Sequence, residues 1–150
     1  MLLLGVATGA QAASLTAFLQ GASPGGRPGV GFALSIPVFT EVISLEGEYA
    51  RARKEEGGSP SFTFLSGNLL IVSPAEILRL RPYFVAGLGL YRQSLESARE
   101  TSIGTTEGLG VFLRLAGPLH ARLDYRTIQL RGNPLEENQK RFYGGLSLRF

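Results

Sequence analysis

From residue 13 to the C-terminus, bulky apolar residues alternate with polar or very small ones. This period of two places successive side chains on opposite faces of a β-strand. Eight such runs are predicted, over residues 14–21, 29–36, 42–52, 61–72, 81–93, 107–115, 119–130 and 141–150. Val30, Phe32, Leu34 and Ile36 interleave with Gly29, Gly31, Ala33 and Ser35. Ile43, Leu45, Gly47 and Tyr49 interleave with Ser44, Glu46, Glu48 and Ala50, so two glutamates share a face. Leu109, Val111, Leu113 and Leu115 oppose Gly108, Gly110, Phe112 and Arg114, while Ala121, Leu123 and Tyr125 oppose Arg122, Asp124 and Arg126. The 61–72 run is ambiguous, because Phe62, Phe64 and Leu70 contest the outer face with Leu65, Leu69 and Ile71. A run of about ten residues, tilted near 40°, rises roughly 25 Å, the height of the apolar band of an outer membrane.

Two architectures accommodate these faces. In a soluble barrel the bulky side turns inward; in a membrane barrel it turns to lipid, and polar or small residues line the lumen. The glycines favour the second arrangement. Gly29, Gly31, Gly87, Gly89, Gly108, Gly110 and Gly145 sit opposite the bulky faces, where they leave room for long charged side chains inside a narrow eight-stranded barrel. The expected fold is therefore all-β, an eight-stranded antiparallel up-and-down transmembrane β-barrel. Its rival is a soluble periplasmic, lipocalin-like barrel holding a small apolar ligand, which requires Leu34, Leu45, Leu88, Leu113 and Leu146 to converge inside. Alternate connections agree with a membrane barrel: 37–41, 73–80 and 116–118 are short or structured, and 22–28, 53–60, 94–106 and 131–140 are longer and polar. Ser73-Pro74-Ala75-Glu76 has the form of a helix start and predicts one helical turn.

Composition narrows the picture. The chain has 150 residues, enough for one domain, with 20 glycines, one methionine and neither tryptophan nor cysteine. The first charged residue is Arg27. Leu2 to Ala7 resembles the apolar stretch of a secretory leader, and Ala10-Gln11-Ala12 is a small-x-small cleavage site. Residues 1–12 are thus expected to be a signal peptide, truncated at its start because no positively charged stretch precedes the apolar one, and 13–150 the barrel domain. The formal net charge is +3, but the arginines are dispersed among apolar residues, so no nucleic-acid partner is expected.

Candidate chemistry is sparse. Without cysteine and with His120 as the single histidine, a conventional zinc site or cysteine dyad is excluded, and no metal, cofactor or catalytic residue is expected. A lipid-modifying serine–histidine enzyme is the sharpest enzymatic alternative, but His120 falls beside a short connection, away from the longer loops. Glu46, Glu48, Arg114, Arg122, Asp124, Arg126 and Arg149 all fall on inner faces. Charges in a narrow interior must pair, so a charge network that plugs the lumen is expected in preference to a narrow, gated pore.

The run from Arg81 to Tyr91, the Leu123-Asp124-Tyr125-Arg126 segment and the ending from Phe142 to Phe150 resemble the small bacterial outer-membrane β-barrel family, the OmpA/OmpX-like eight-stranded barrels. The resemblance implies an outer-membrane location, a monomer, outer-membrane lipid and lipopolysaccharide as surroundings, and contact with the barrel-assembly machinery during biogenesis. In that family the machinery reads a C-terminal glycine followed by two spaced apolar or aromatic residues, which Gly145, Leu148 and Phe150 match. It implies a structural or surface-interaction role and carries no catalytic motif.

Overall fold

The computed structural model of the protein describes residues 13–23, 27–52, 61–95, 98–131 and 138–150. Eight strands follow in chain order: β1 (Ser14–Ser23), β2 (Arg27–Phe39), β3 (Ile43–Ala52), β4 (Ser61–Val72), β5 (Leu80–Leu95), β6 (Ala98–Ala116), β7 (Leu119–Arg131) and β8 (Asn138–Arg149). Each pairs antiparallel with the next, and β8 returns to β1 to close the barrel. Closure leaves no strand edge, so the described strands pair on both sides around the ring, the condition for crossing hydrocarbon with strands. At the seam Leu15 lies opposite Leu148 and Ala17 opposite Leu146. The Phe150 amide donates to the Ala13 carbonyl at 2.9 Å, extending the seam by one residue.

The outer surface is apolar. Leu19, Phe32, Leu45, Leu65, Leu88, Leu109, Leu123, Phe142 and Leu146 all project outward, Leu88 with 63% of its surface exposed. Of the five leucines that discriminate the two architectures, Leu34, Leu45, Leu88 and Leu146 are exposed and Leu113 is half-buried. The bulky faces do not converge, and the lipocalin-like alternative fails. β4 resolves the same way: Leu65, Leu69 and Ile71 face out, while Phe64 and Leu70 are buried inside.

Two expectations need correction. The 94–106 segment is not a long loop, because β5 and β6 continue as a hairpin in which Ser94 pairs with Arg99 and Leu95 with Ala98. Thr101, Ile103 and Thr105 alternate with Ser102, Gly104 and Thr106, and their β-branched side chains suit a ladder better than a loop. The 73–80 connection holds no helical turn. Ser73 Oγ does accept the Ala75 amide at 3.3 Å, but the chain then folds into a tight turn in which Ile77 and Leu80 exchange backbone hydrogen bonds at 3.0 and 2.9 Å. Its central residues Leu78 and Arg79 have φ of 52° and 67°, the left-handed pair of a hairpin turn. The signal-peptide reading of residues 1–12, the 53–60 loop and most of the 131–140 loop lie outside the described residues.

Candidate functional site in the barrel lumen

The inner faces of β3 and β7 supply the site. Their period of two turns Glu46 and Glu48 inward from one wall, and Arg122, Asp124 and Arg126 inward from another. In a ring of eight strands these two are diametrically opposed, so their side chains meet across the lumen. Arg122 Nη1 donates to Glu46 Oε2 at 2.5 Å, Arg126 Nη2 to Glu46 Oε1 at 3.1 Å and Arg126 Nη1 to Glu48 Oε2 at 2.8 Å. Along β7, Arg126 Nε donates to Asp124 Oδ1 at 2.8 Å and Arg122 Nη2 to Asp124 Oδ2 at 3.3 Å. From β8, Arg141 Nη2 donates to Glu48 Oε1.

Three guanidinium groups therefore meet three carboxylates, and the cluster is electrically neutral. Neutrality is needed here. Arg122 and Arg126 have 0% of their surface exposed, and a charge removed from water costs several kcal/mol unless paired and hydrogen-bonded, about 3–5 kcal/mol appearing when one partner is lost. Neutral groups complete the coordination. Ser35 Oγ donates to Glu46 Oε2 at 2.9 Å, Asn68 Nδ2 to Glu46 Oε1 at 3.3 Å, and the Tyr83 hydroxyl to Asp124 Oδ2. Arg122 Nε donates to the Tyr83 hydroxyl at 2.8 Å, and Arg126 Nη2 to that of Tyr143 at 2.5 Å.

Aromatic rings fill the space around these charges. The Phe18 and Tyr143 rings stack with centroids 4.4 Å apart, and Phe64 lies 4.6 Å from Tyr91. The Arg141 guanidinium sits 4.9 Å from the Phe64 centroid and 5.0 Å from that of Tyr143, an attractive arrangement of cation over π-face. Inward glycines permit this packing. A Cβ on Gly110 would fall on the Tyr83 ring, and one on Gly145 would meet the Ala17 carbonyl and lie 2.7 Å from Phe18 Cβ.

Of the seven charges assigned to the lumen from sequence, Glu46, Glu48, Arg122, Asp124 and Arg126 come together. Arg114 and Arg149 do not join them. Both have the inward parity, yet they stand at the strand ends, and height along the barrel axis separates them from the cluster. Arg114, beside the register shift between Arg114 and Ala116, pairs with Glu76 at 3.0 Å on the rim. Arg141 is the charge that sequence reasoning missed. It shares the parity of Tyr143, Gly145 and Ser147, and that parity was the available signal. Gly145, Leu148 and Phe150 lie on the closing strand and just past it, Gly145 inward and Leu148 and Phe150 exposed outward.

The end of the barrel with the short turns opens into a shallow vestibule. His120 lies there, its Nδ1 3.2 Å from the Pro118 carbonyl oxygen. Ser147 is its partner in the β7–β8 register, and the Ser147 hydroxyl accepts a hydrogen bond from Thr16 Oγ1 at 3.0 Å. Among the described residues, no group of three or more histidines, aspartates or glutamates is placed to hold a metal ion.

The chain matches no protein-family model and no curated protein. Solved structures share its fold. The N-terminal β-barrel domain of Pseudomonas aeruginosa OprF matches with a TM-score of 0.74 at 17% identity, covering 93% of this chain and 98% of that one. Neisserial surface protein A (NspA) matches with a TM-score of 0.66 at 17% identity, over 93% and 95% of the two chains. The outer membrane enzyme PagL matches with a TM-score of 0.58 at 10% identity, over 90% and 98%. One architecture thus carries different activities, and likeness at these identities speaks for the fold alone. By its fold, this chain is a closed, eight-stranded antiparallel β-barrel of the kind found in small bacterial outer-membrane proteins.

Proposed function

We propose that the protein is a monomeric outer-membrane barrel with a structural or surface-interaction role, its lumen plugged by the charge network, and that it catalyses no reaction. The observation that carries this reading is the inverted distribution of polarity. Leucine and phenylalanine cover the outside while arginine and glutamate are fully buried within, which is unfavourable in water and favourable in lipid. Eight strands leave a lumen that side chains fill, and neutral ion pairs braced by tyrosines offer no continuous aqueous path.

The termini and short turns then face the periplasm, and the hairpins at the other end face outward. In that orientation Leu148 and Phe150 are exposed where the barrel-assembly machinery would read them. The outward loops meet outer-membrane lipid and lipopolysaccharide. His120, the one side chain suited to serine–histidine chemistry, lies at the opposite end from the outer leaflet, which weighs against a lipid-modifying role.

Refolding the chain with and without detergent, followed by comparison of boiled and unboiled samples on a gel, tests the location. A detergent-dependent, heat-sensitive mobility shift is expected, and a monodisperse fold without detergent would overturn the membrane reading. Reconstitution in a planar bilayer tests the plug. No steady conductance is expected; a stable open channel from the unmodified protein would overturn the closed lumen.

A further inference from the structure

We infer that the vestibule at the short-turn end is a binding site for a single phosphate group, gripped by Arg149 together with Arg79, Arg81 and Arg114. These residues, with Glu76 and His120, line a recess of about 190 Å³. The two turns at 73–80 and 116–119 and the last residues of β8 bring them together, although they are distant in sequence. The inference rests on the barrel geometry and holds whichever membrane contains the barrel.

Charge bookkeeping is what points to a ligand. Inside the lumen every charge has a counter-charge, but here four guanidinium groups face two carboxylates. Glu76 is taken by Arg114 at 3.0 Å, and Glu41 lies 3.9 Å from Arg81. Arg81 directs Nε and Nη2 to the Ser73 carbonyl at 3.2 and 3.1 Å, which anchors it with Nη1 still facing Glu41. Arg149 has no carboxylate within ion-pair distance among the described residues, and the like charge of Arg81 bears on it along with the more distant pull of Glu41 and Glu76. Two like charges held in a half-enclosed recess repel, and a ligand that neutralises them is favoured.

The excess of two positive charges selects the ligand class. A phosphate monoester carries about −1.5 to −2 at neutral pH and presents three acceptor oxygens. Guanidinium forks match those oxygens in pairs, more strongly than neutral donors do. A single carboxylate would balance only half of the excess. The same phosphate chemistry can arrive as a free soluble phosphate or as a lipid headgroup.

The test uses the full chain, isotope-labelled and refolded in maltoside micelles, which contain no phosphate. Inorganic phosphate is titrated at constant ionic strength while the His120 and Arg149 resonances are followed. Saturable shifts with a dissociation constant on the order of 1 mM are expected. R149Q and, independently, R79Q should each weaken binding by about tenfold or more, the loss of one charge-assisted contact. Heat-sensitive gel mobility verifies that each variant folds, and Arg79 lies in a turn outside the strands, so one variant remains if the other does not refold. R51Q, on the outer surface at the far end, should bind as the parent does. A second arm titrates dihexanoyl phosphatidic acid by itself: saturable shifts of the same resonances with this lipid, without response to free phosphate, assign the site to headgroups and retain it. No saturable response to either probe, or equal weakening by R51Q, would overturn the site.

Discussion

Arg126 on β7 donates to Glu48 on β3 at 2.8 Å, tying together opposite walls of the barrel through residues 78 apart in the chain. Both side chains are fully buried, and although Arg141 still reaches Glu48 and Glu46 and Asp124 still reach Arg126, removing either one leaves the neutral cluster with one uncompensated buried charge. Arg126→Ala or Glu48→Ala is expected to lower stability by about 3–5 kcal/mol. The double replacement Arg126→Ala with Glu48→Ala should cost less than the sum of the two single changes, as read by urea unfolding in detergent followed by circular dichroism. Strict additivity of the two would show that the pair is not coupled.

Tyr83 lies over Gly110, its register partner on β6, and uses its hydroxyl to bind Asp124. Gly110→Ala drives a methyl group into that ring, and the ring can move only by releasing Asp124 and Arg122. A loss of about 1–3 kcal/mol is expected, the usual cost of overpacking. Gly67 faces outward with open space around a Cβ, and Gly67→Ala should be neutral or gain up to about 1 kcal/mol. Thermal unfolding of both variants gives the comparison, and equal effects would contradict the assignment of the two faces.

Leu88 stands midway along the outward face of β5. Leu88→Arg should cost about 2–4 kcal/mol in a bilayer, the penalty for a cation near the midplane. Ser35→Ala, which removes a luminal hydrogen bond to Glu46 at 2.9 Å, should cost about 1 kcal/mol. Folding yield into phospholipid vesicles orders the two, and a milder effect for the leucine change would refute a lipid-facing wall.

Leu78 and Arg79 carry left-handed backbone angles at an exposed turn, a conformation that Asn-Gly adopts with little strain. Leu78→Asn with Arg79→Gly is expected to raise stability by about 1–2 kcal/mol, measured by the urea midpoint. The same variant should bind phosphate more weakly, because Arg79 is one of the four basic residues of the vestibule.

Phe150 is exposed at the seam, held by its amide to Ala13. If it serves assembly rather than stability, Leu148→Ala with Phe150→Ala should lower the amount of barrel in the outer membrane of expressing cells. The purified variant should refold in detergent as the parent does. A matching loss in refolding would assign these residues a structural role instead.

Much of this molecule is legible in its period-two pattern. Glu46 with Glu48, and Arg122 with Asp124 and Arg126, fall on one face each by counting alone, and the glycines opposite the bulky residues indicate which face is inside. The hairpin joining β5 and β6 is less visible, because Thr101 to Thr106 has Ile103 as its single bulky apolar residue and carries no apolar stripe to mark it as a strand. The turn at Leu78 and Arg79 was hidden for another reason: a serine–proline start promises a helix, while the pairing of Ile77 with Leu80 decides the outcome.

What the sequence by itself determined is the alternation within each strand, since side-chain direction depends only on the local backbone. Strand number and the shared face of the charges follow from it, and the glycines opposite the bulky residues add which face turns inward. What only the tertiary structure decided is partnership, because that depends on the stagger between strands and the height of each residue along the axis. The stagger joins Arg126 to Glu48, draws in Arg141, and leaves Arg114 and Arg149 at the rim. Closure of the ring sets that stagger, and no single strand contains it.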